Sequence, residues 1–178
     1  APSDTHKQTL ISGFLEAYQG REINQLPESL TQAITAYQKS LGQDDLVLNI
    51  RLGKQEAIEE ALKFIANEGA DRPKRLSYIS VLGEVKAAKT VPVLINLLGS
   101  PSIAIKRAAL QSMINFDDPA IGDAICSRYH TSLPDEQDLR SIAHRVLASR
   151  APWAKKLLEE VAAFRIKAAV IPLDIVQQ

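Results

Sequence analysis

Apolar positions along this chain recur at helical intervals. In "QTLISGFLEAY", Ile11, Phe14, Leu15 and Tyr18 fall at spacings 0, 3, 4 and 7. In "EAIEEALKFIA", Ile58, Ala61, Leu62, Ile65 and Ala66 fall at 0, 3, 4, 7 and 8, and Leu139, Ile142, Ala143, Val146 and Leu147 repeat that series. Each series paints an apolar stripe on one helical face, and such a stripe must be covered. No segment sustains the period-two alternation of a half-buried strand. The fold class is therefore all-α, with about ten helices expected over roughly 4–19, 27–41, 44–52, 55–68, 73–86, 89–99, 102–116, 119–131, 135–149 and 151–165.

Prolines punctuate this series. Ser100-Pro101 and Asp118-Pro119 each read as a capping side chain followed by proline at the first helical position, where its missing N–H is not needed. Pro134 precedes Asp135 and Glu136, acids suited to the positive end of a helix, so a start is expected there. Pro27, Pro73, Pro152 and Pro172 also stand where a pattern begins.

Superposing the helical pairs on their turns reveals a period. Leu52, Leu82, Met113 and Val146 fall at one apolar position, separated by 30, 31 and 33 residues. A short turn and a second amphipathic helix follow each, carrying Ile58/Leu62, Val91/Ile95, Ile121/Ile125 and Trp153/Leu157. A two-helix unit of this size cannot bury its own apolar faces, so neighbours must stack into one continuous core. "KRAALQSM" resembles the first helix of a HEAT repeat, and "RLSYISVLG" fits the same pattern more loosely. That resemblance implies a HEAT/armadillo-like right-handed α-α superhelix of antiparallel helix pairs over 45–165. Residues 1–44, with Leu30, Ala33, Ile34, Tyr37 and Leu41 on one face, are expected to form a capping helical pair, and 166–178 a linker.

Segment order carries a second resemblance. "GFLEAYQGREINQLPESLTQAI", the helical pairs, and the closing run from Ala148 to Leu158 ("ASRAPWAKKLL") are similar to the helical-repeat region of planctomycete-type membrane-bound dehydrogenase and haem-binding proteins. There such a region lies between a β-propeller-like dehydrogenase domain and a cytochrome c domain. The resemblance implies a spacer within an exported, periplasmic redox protein, with any c-type haem in a downstream domain. Without it, a cytoplasmic protein is expected.

Composition narrows function mainly by exclusion. Lys plus Arg equals Asp plus Glu at 21 each, so the clear basic excess of a dedicated nucleic-acid binder is missing. No apolar run approaches the roughly 20 residues of a membrane-spanning helix. The single cysteine, Cys126, follows Ile125 on an apolar face and reads as core; "ICSRYH" is not the Cys-x-x-Cys-His that anchors a c-type haem. His6, His130 and His144 form no paired-ligand spacing, and His144, followed by Arg145, is expected to face solvent. Asp44-Asp45 and Asp117-Asp118 sit at turns, where capping is the simplest role.

No catalytic, cofactor-binding or metal-ligating residue emerges. The candidate interaction surface is cationic: Lys74, Arg75, Lys106, Arg107 and Arg140 recur near the starts of successive first helices and would form a ladder along one edge. That ladder either bonds neighbouring acids such as Asp117 or meets an anionic partner. Trp153, spaced 4, 8 and 11 residues from Leu157, Val161 and Phe164, reads as core. The expectation is a non-catalytic, monomeric scaffold or interaction domain that needs no cofactor. Its partner would be a protein or the flanking domains of its own chain. The alternative is an enzyme on the same scaffold, such as a DNA glycosylase or a bilin lyase.

Overall fold

The computed structural model describes residues 4–17, 27–40, 45–136 and 138–172. Among these, the regular structure is entirely helical: α1 (Asp4–Ala17), α2 (Glu28–Ser40), α3 (Leu46–Arg51), α4 (Gln55–Ala66), α5 (Arg72–Val85), α6 (Thr90–Leu97), α7 (Ile103–Met113), α8 (Pro119–Arg128), α9 (Leu139–Ala148) and α10 (Ala151–Ala162), then a 3-10 turn at Ala168–Val170. The all-α expectation holds.

Local chemistry explains the starts of α3, α5, α8 and α10. Asp45 accepts from the Val47 and Leu48 amides, Asp71 from Lys74, and Asp118 from Ala120, each satisfying amides that the first helical turn leaves without partners. Pro73, Pro119 and Pro152 lie in first turns as expected. Two starts depart from expectation. The Ser100-Pro101 pair precedes α7 without capping it: the Ser100 hydroxyl accepts from the Ser102 amide, and the helix begins only at Ile103. Likewise α9 begins at Leu139, well past Pro134. Leu133 is fully buried, so the chain first dips into the core, and Asp138 then turns through the left-handed region at φ 60°.

The helices pack in two interleaved rows. α3 lies on α5, α5 on α7 and α7 on α9, while α4 lies on α6, α6 on α8 and α8 on α10; consecutive helices from α3 to α7 and from α8 to α10 also touch. One apolar cluster runs through both rows from Ile50 to Ile166. Leu82, Met113 and Val146 are buried at matching positions. Leu52 is only half-buried, because α3 ends at Arg51 and the chain turns at Gly53 (φ 69°); Ile50 is fully buried instead. Packing also continues past 165. Phe164 adopts φ 59°, the Arg165 and Ile166 amides bond back to the Glu160 carbonyl, and Ile166 enters the core.

On α2, Ile34 is buried, whereas Leu30 and Ala33 are exposed. Tyr37 and Leu41, expected on the same face, lie outside the described side chains. Most of the turn expected from Pro172 also lies outside the described residues.

Candidate interaction surface

The cationic ladder dissolves when its members are located. Arg75 is 4% exposed, so it is not a surface group. Its Nε and Nη2 donate to the Ile65 carbonyl at 3.0 and 2.8 Å, and Nη1 reaches the Glu68 carbonyl at 3.5 Å. These oxygens lie at and just beyond the end of α4, where carbonyls lack helical partners and carry partial negative charge. Lys106, half-buried, donates to the Ser132 carbonyl, and Arg140 donates through Nε to the Leu133 carbonyl at 2.9 Å. Lys74 is exposed and Arg107 half-buried. The five residues therefore do not converge on one open surface.

Backbone carbonyls, rather than Asp117 or Asp118, receive three of these cations. Asp117 instead faces Arg150 at 3.9 Å, and Asp118 caps α8. The helical period explains the distribution. Arg75 stands four and seven residues before Ile79 and Leu82, Lys106 three and seven before Ala109 and Met113, and Arg140 three and seven before Ala143 and Leu147. Each sits at the top of a buried stripe. Its charged head reaches a backbone carbonyl, at the end of α4 for Arg75 and in the turn after α8 for Lys106 and Arg140.

What the structure does assemble is a set of ties between neighbouring units. The Arg51 guanidinium meets Glu84 at 2.7 Å, Lys89 meets Glu59 at 2.7 Å and Lys156 meets Asp123 at 3.0 Å. Ser112 Oγ donates to the Ile79 carbonyl at 3.0 Å, and Trp153 Nε1 to Asp118 at 3.1 Å. Arg128 donates to the Ile95 carbonyl, and Arg150 to Ile114 at 3.1 Å. The hydrogen-bonded members of this set join residues 30 to 36 apart.

Comparison adds nothing to this geometry. No protein-family model, curated protein or solved structure matches the chain.

One polar cluster was not anticipated. His144, expected in solvent, is 1% exposed, and its Nε2 shares a 2.9 Å hydrogen bond with the equally buried Tyr129 hydroxyl. The correction follows from the period: His144 precedes Leu147 by three residues and so lies beside the stripe of α9. Burial, then the nearby Arg140 charge, holds the His144 pKa below its ordinary value; burial raises that of Tyr129. Arg140 lies over the Tyr129 ring, 5.0 Å from its centre, and His130 meets the ring edge-on.

Cys126 is core, as expected, and burial pushes its thiol up to about 11. A thiol of that pKa stays protonated near neutrality and is a poor nucleophile. A cleft of about 310 Å³ is lined by Ala66, Glu68, Val93, Asn96, Leu97 and Ser100, and an open depression of about 520 Å³ by Arg72, Pro101, Ser102, Ile103 and Ala104. Neither lining brings a nucleophile together with a histidine or a second carboxylate. Among the described residues no helix is long and apolar enough to cross a membrane.

Proposed function

We propose that this chain is a non-catalytic scaffold. In this reading it is a HEAT-like right-handed α-α superhelix over 45–165, with 1–44 closing one end. It acts by offering its surface to a protein partner or to flanking domains of its own polypeptide. The observation that carries the reading is the recurrence of ties at 30 to 36 residues, which pins each two-helix unit to the next. A stack bound by neighbour-to-neighbour contacts gives an extended surface that suits partner binding. The use of Arg75, Lys106 and Arg140 on backbone carbonyls supports a structural role for the polar side chains. The parent protein, following the resemblance of the Ala148–Leu158 run, is a dehydrogenase/cytochrome c protein of the periplasm. Its coding sequence beyond residue 178 should then contain Cys-x-x-Cys-His.

A DNA-binding titration over a salt series separates this reading from a glycosylase. A nucleic-acid enzyme neutralises phosphates and loses affinity with a log–log slope of about −0.9 per contact. The scaffold should show no such binding and no base release from damaged duplex. Tight, salt-steep binding would replace it with the enzyme reading.

A further inference from the structure

The geometry points to a proton-operated latch at the α8–α9 corner, in which protonation of His144 buries a charged ring with one N–H unpaired and so loosens the connection after α8 from the stack. Both rings are buried, and they stack with centres 5.5 Å apart. Among the described groups, His144 Nδ1 has no hydrogen-bond partner. A neutral imidazole has two ways to sit here. It can accept the Tyr129 proton at Nε2 and leave an uncharged Nδ1–H unpaired, or donate from Nε2 and leave Nδ1 as a bare lone pair. The imidazolium has only one, since both nitrogens then carry protons. Nε2 must donate to the tyrosine oxygen, and Nδ1–H is stranded in the core without an acceptor, a costly arrangement for a charged group.

The surroundings give the cation little relief. Arg140, on the same helix, places a second positive charge nearby, and Asp135, which opposes it, is largely exposed and screened. From just past the end of α8, Tyr129 presents its hydroxyl, and His130 bonds the Arg165 carbonyl at 2.6 Å. From α7, Lys106 reaches the Ser132 carbonyl and adds positive charge to the same connection. On α10, Lys156 is engaged with Asp123 and Glu160 with Arg165, while Arg150, just before it, bonds the Ile114 carbonyl.

The sign follows from linkage. The folded chain holds His144 neutral below the pH at which a free imidazole protonates, so the unfolded or locally opened state binds more protons. The stabilisation is complete above about pH 6.5 and is lost as pH falls through the lower, folded value. One such site can raise the opening equilibrium by up to about tenfold per pH unit. Release should be local, because each unit of a stack contacts only its neighbours.

Amide hydrogen exchange of the whole chain at pH 7.5 and 5.0, corrected for intrinsic exchange rates, tests this. Protection across α8 and α9 should fall about tenfold or more at the lower pH, with α4 and α5 unchanged. His144→Gln, which is neutral at both values and can still pair with Tyr129, should abolish the difference. If that variant fails to fold, the wild-type His144 ring resonance decides, assigned against His6→Asn and His130→Asn. A His144 midpoint at or above 6.5 overturns the latch, and so does a loss of protection shared equally by α4 and α8.

Discussion

Gly83 on α5 and Gly122 on α8 occupy comparable joints in the two rows, and they meet different partners. A Cβ on Gly83 would stand 2.8 Å from Ser112 Cβ and 3.2 Å from its Cα, so α5 and α7 approach almost backbone to backbone. A Cβ on Gly122 would stand 2.8 Å from Cδ1 of Trp153, so the gap there seats an indole. The first joint gains close packing from two small residues and locks it with the Ser112–Ile79 hydrogen bond. The second gains a large buried ring, fixed by its N–H to Asp118. Helix-interior glycine costs about 0.5–1 kcal/mol relative to alanine. Here that cost is offset by contacts that no other residue would permit.

The heaviest blow to this pairing is Trp153→Ala. The ring is 2% exposed and bridges α8 and α10, so its loss should cost about 3–5 kcal/mol, read as a lower urea midpoint. Trp153→Phe keeps much of the packing and removes the indole donor, and should cost markedly less. Equal losses for the two variants would make the Asp118 bond, and not the filled gap, the source of the joint's stability.

Gly83→Ala should follow, at about 1–3 kcal/mol, since the obstructing atoms include backbone that cannot swing aside. Gly122→Ala should cost a similar amount, because the obstructing Cδ1 and Cγ belong to a buried ring tied to the Asp118 carbonyl. The sharpest form is a cycle with Ser112→Gly. Gly83→Ala in that background should lose at least about 1 kcal/mol of its penalty, as expected for residues in contact. Strict additivity would mean that the close approach is incidental.

How much of this could be read beforehand depends on whether the signal was periodic. The helices and the cores at Leu82, Met113 and Val146, 31 and 33 residues apart, are spacing patterns that survive in the structure, whereas the step from Leu52 does not. The burial of Arg75 and His144 was equally periodic, but side-chain identity argued for the surface and outweighed position. Gly83 and Gly122 carry no local signal, since close approach is a property of two helices together. The late start of α9 was hidden for a related reason. Pro134, Asp135 and Glu136 are good helix-start residues, yet burial of Leu133 and the clamps from Lys106 and Arg140 hold the chain in a turn. Tertiary contacts there override local preference.

The smallest effects should come from ties that share the spacing but lie in water. Arg51–Glu84 in the first row and Glu59–Lys89 in the second both join neighbouring units at 2.7 Å, yet side-chain exposure is 7% and 18% for the former against 49% and 61% for the latter. Glu84→Gln puts an amide where a buried guanidinium meets a carboxylate, and should cost about 1–3 kcal/mol. Lys89→Ala should leave the urea midpoint unchanged within error at 0.15 M salt, where an exposed pair is screened and its attraction offset by side-chain entropy. Lys89 does hold the Glu59 carboxyl below its usual range, through its hydrogen bond and charge. The pair therefore favours the folded chain above the ordinary carboxylate pKa, and the benefit fades as pH falls through the depressed value. NMR should show the Glu59 midpoint rising in Lys89→Ala while stability barely moves. A matching drop in stability would mean that the second row depends on its exposed charges as heavily as the first depends on its buried pair.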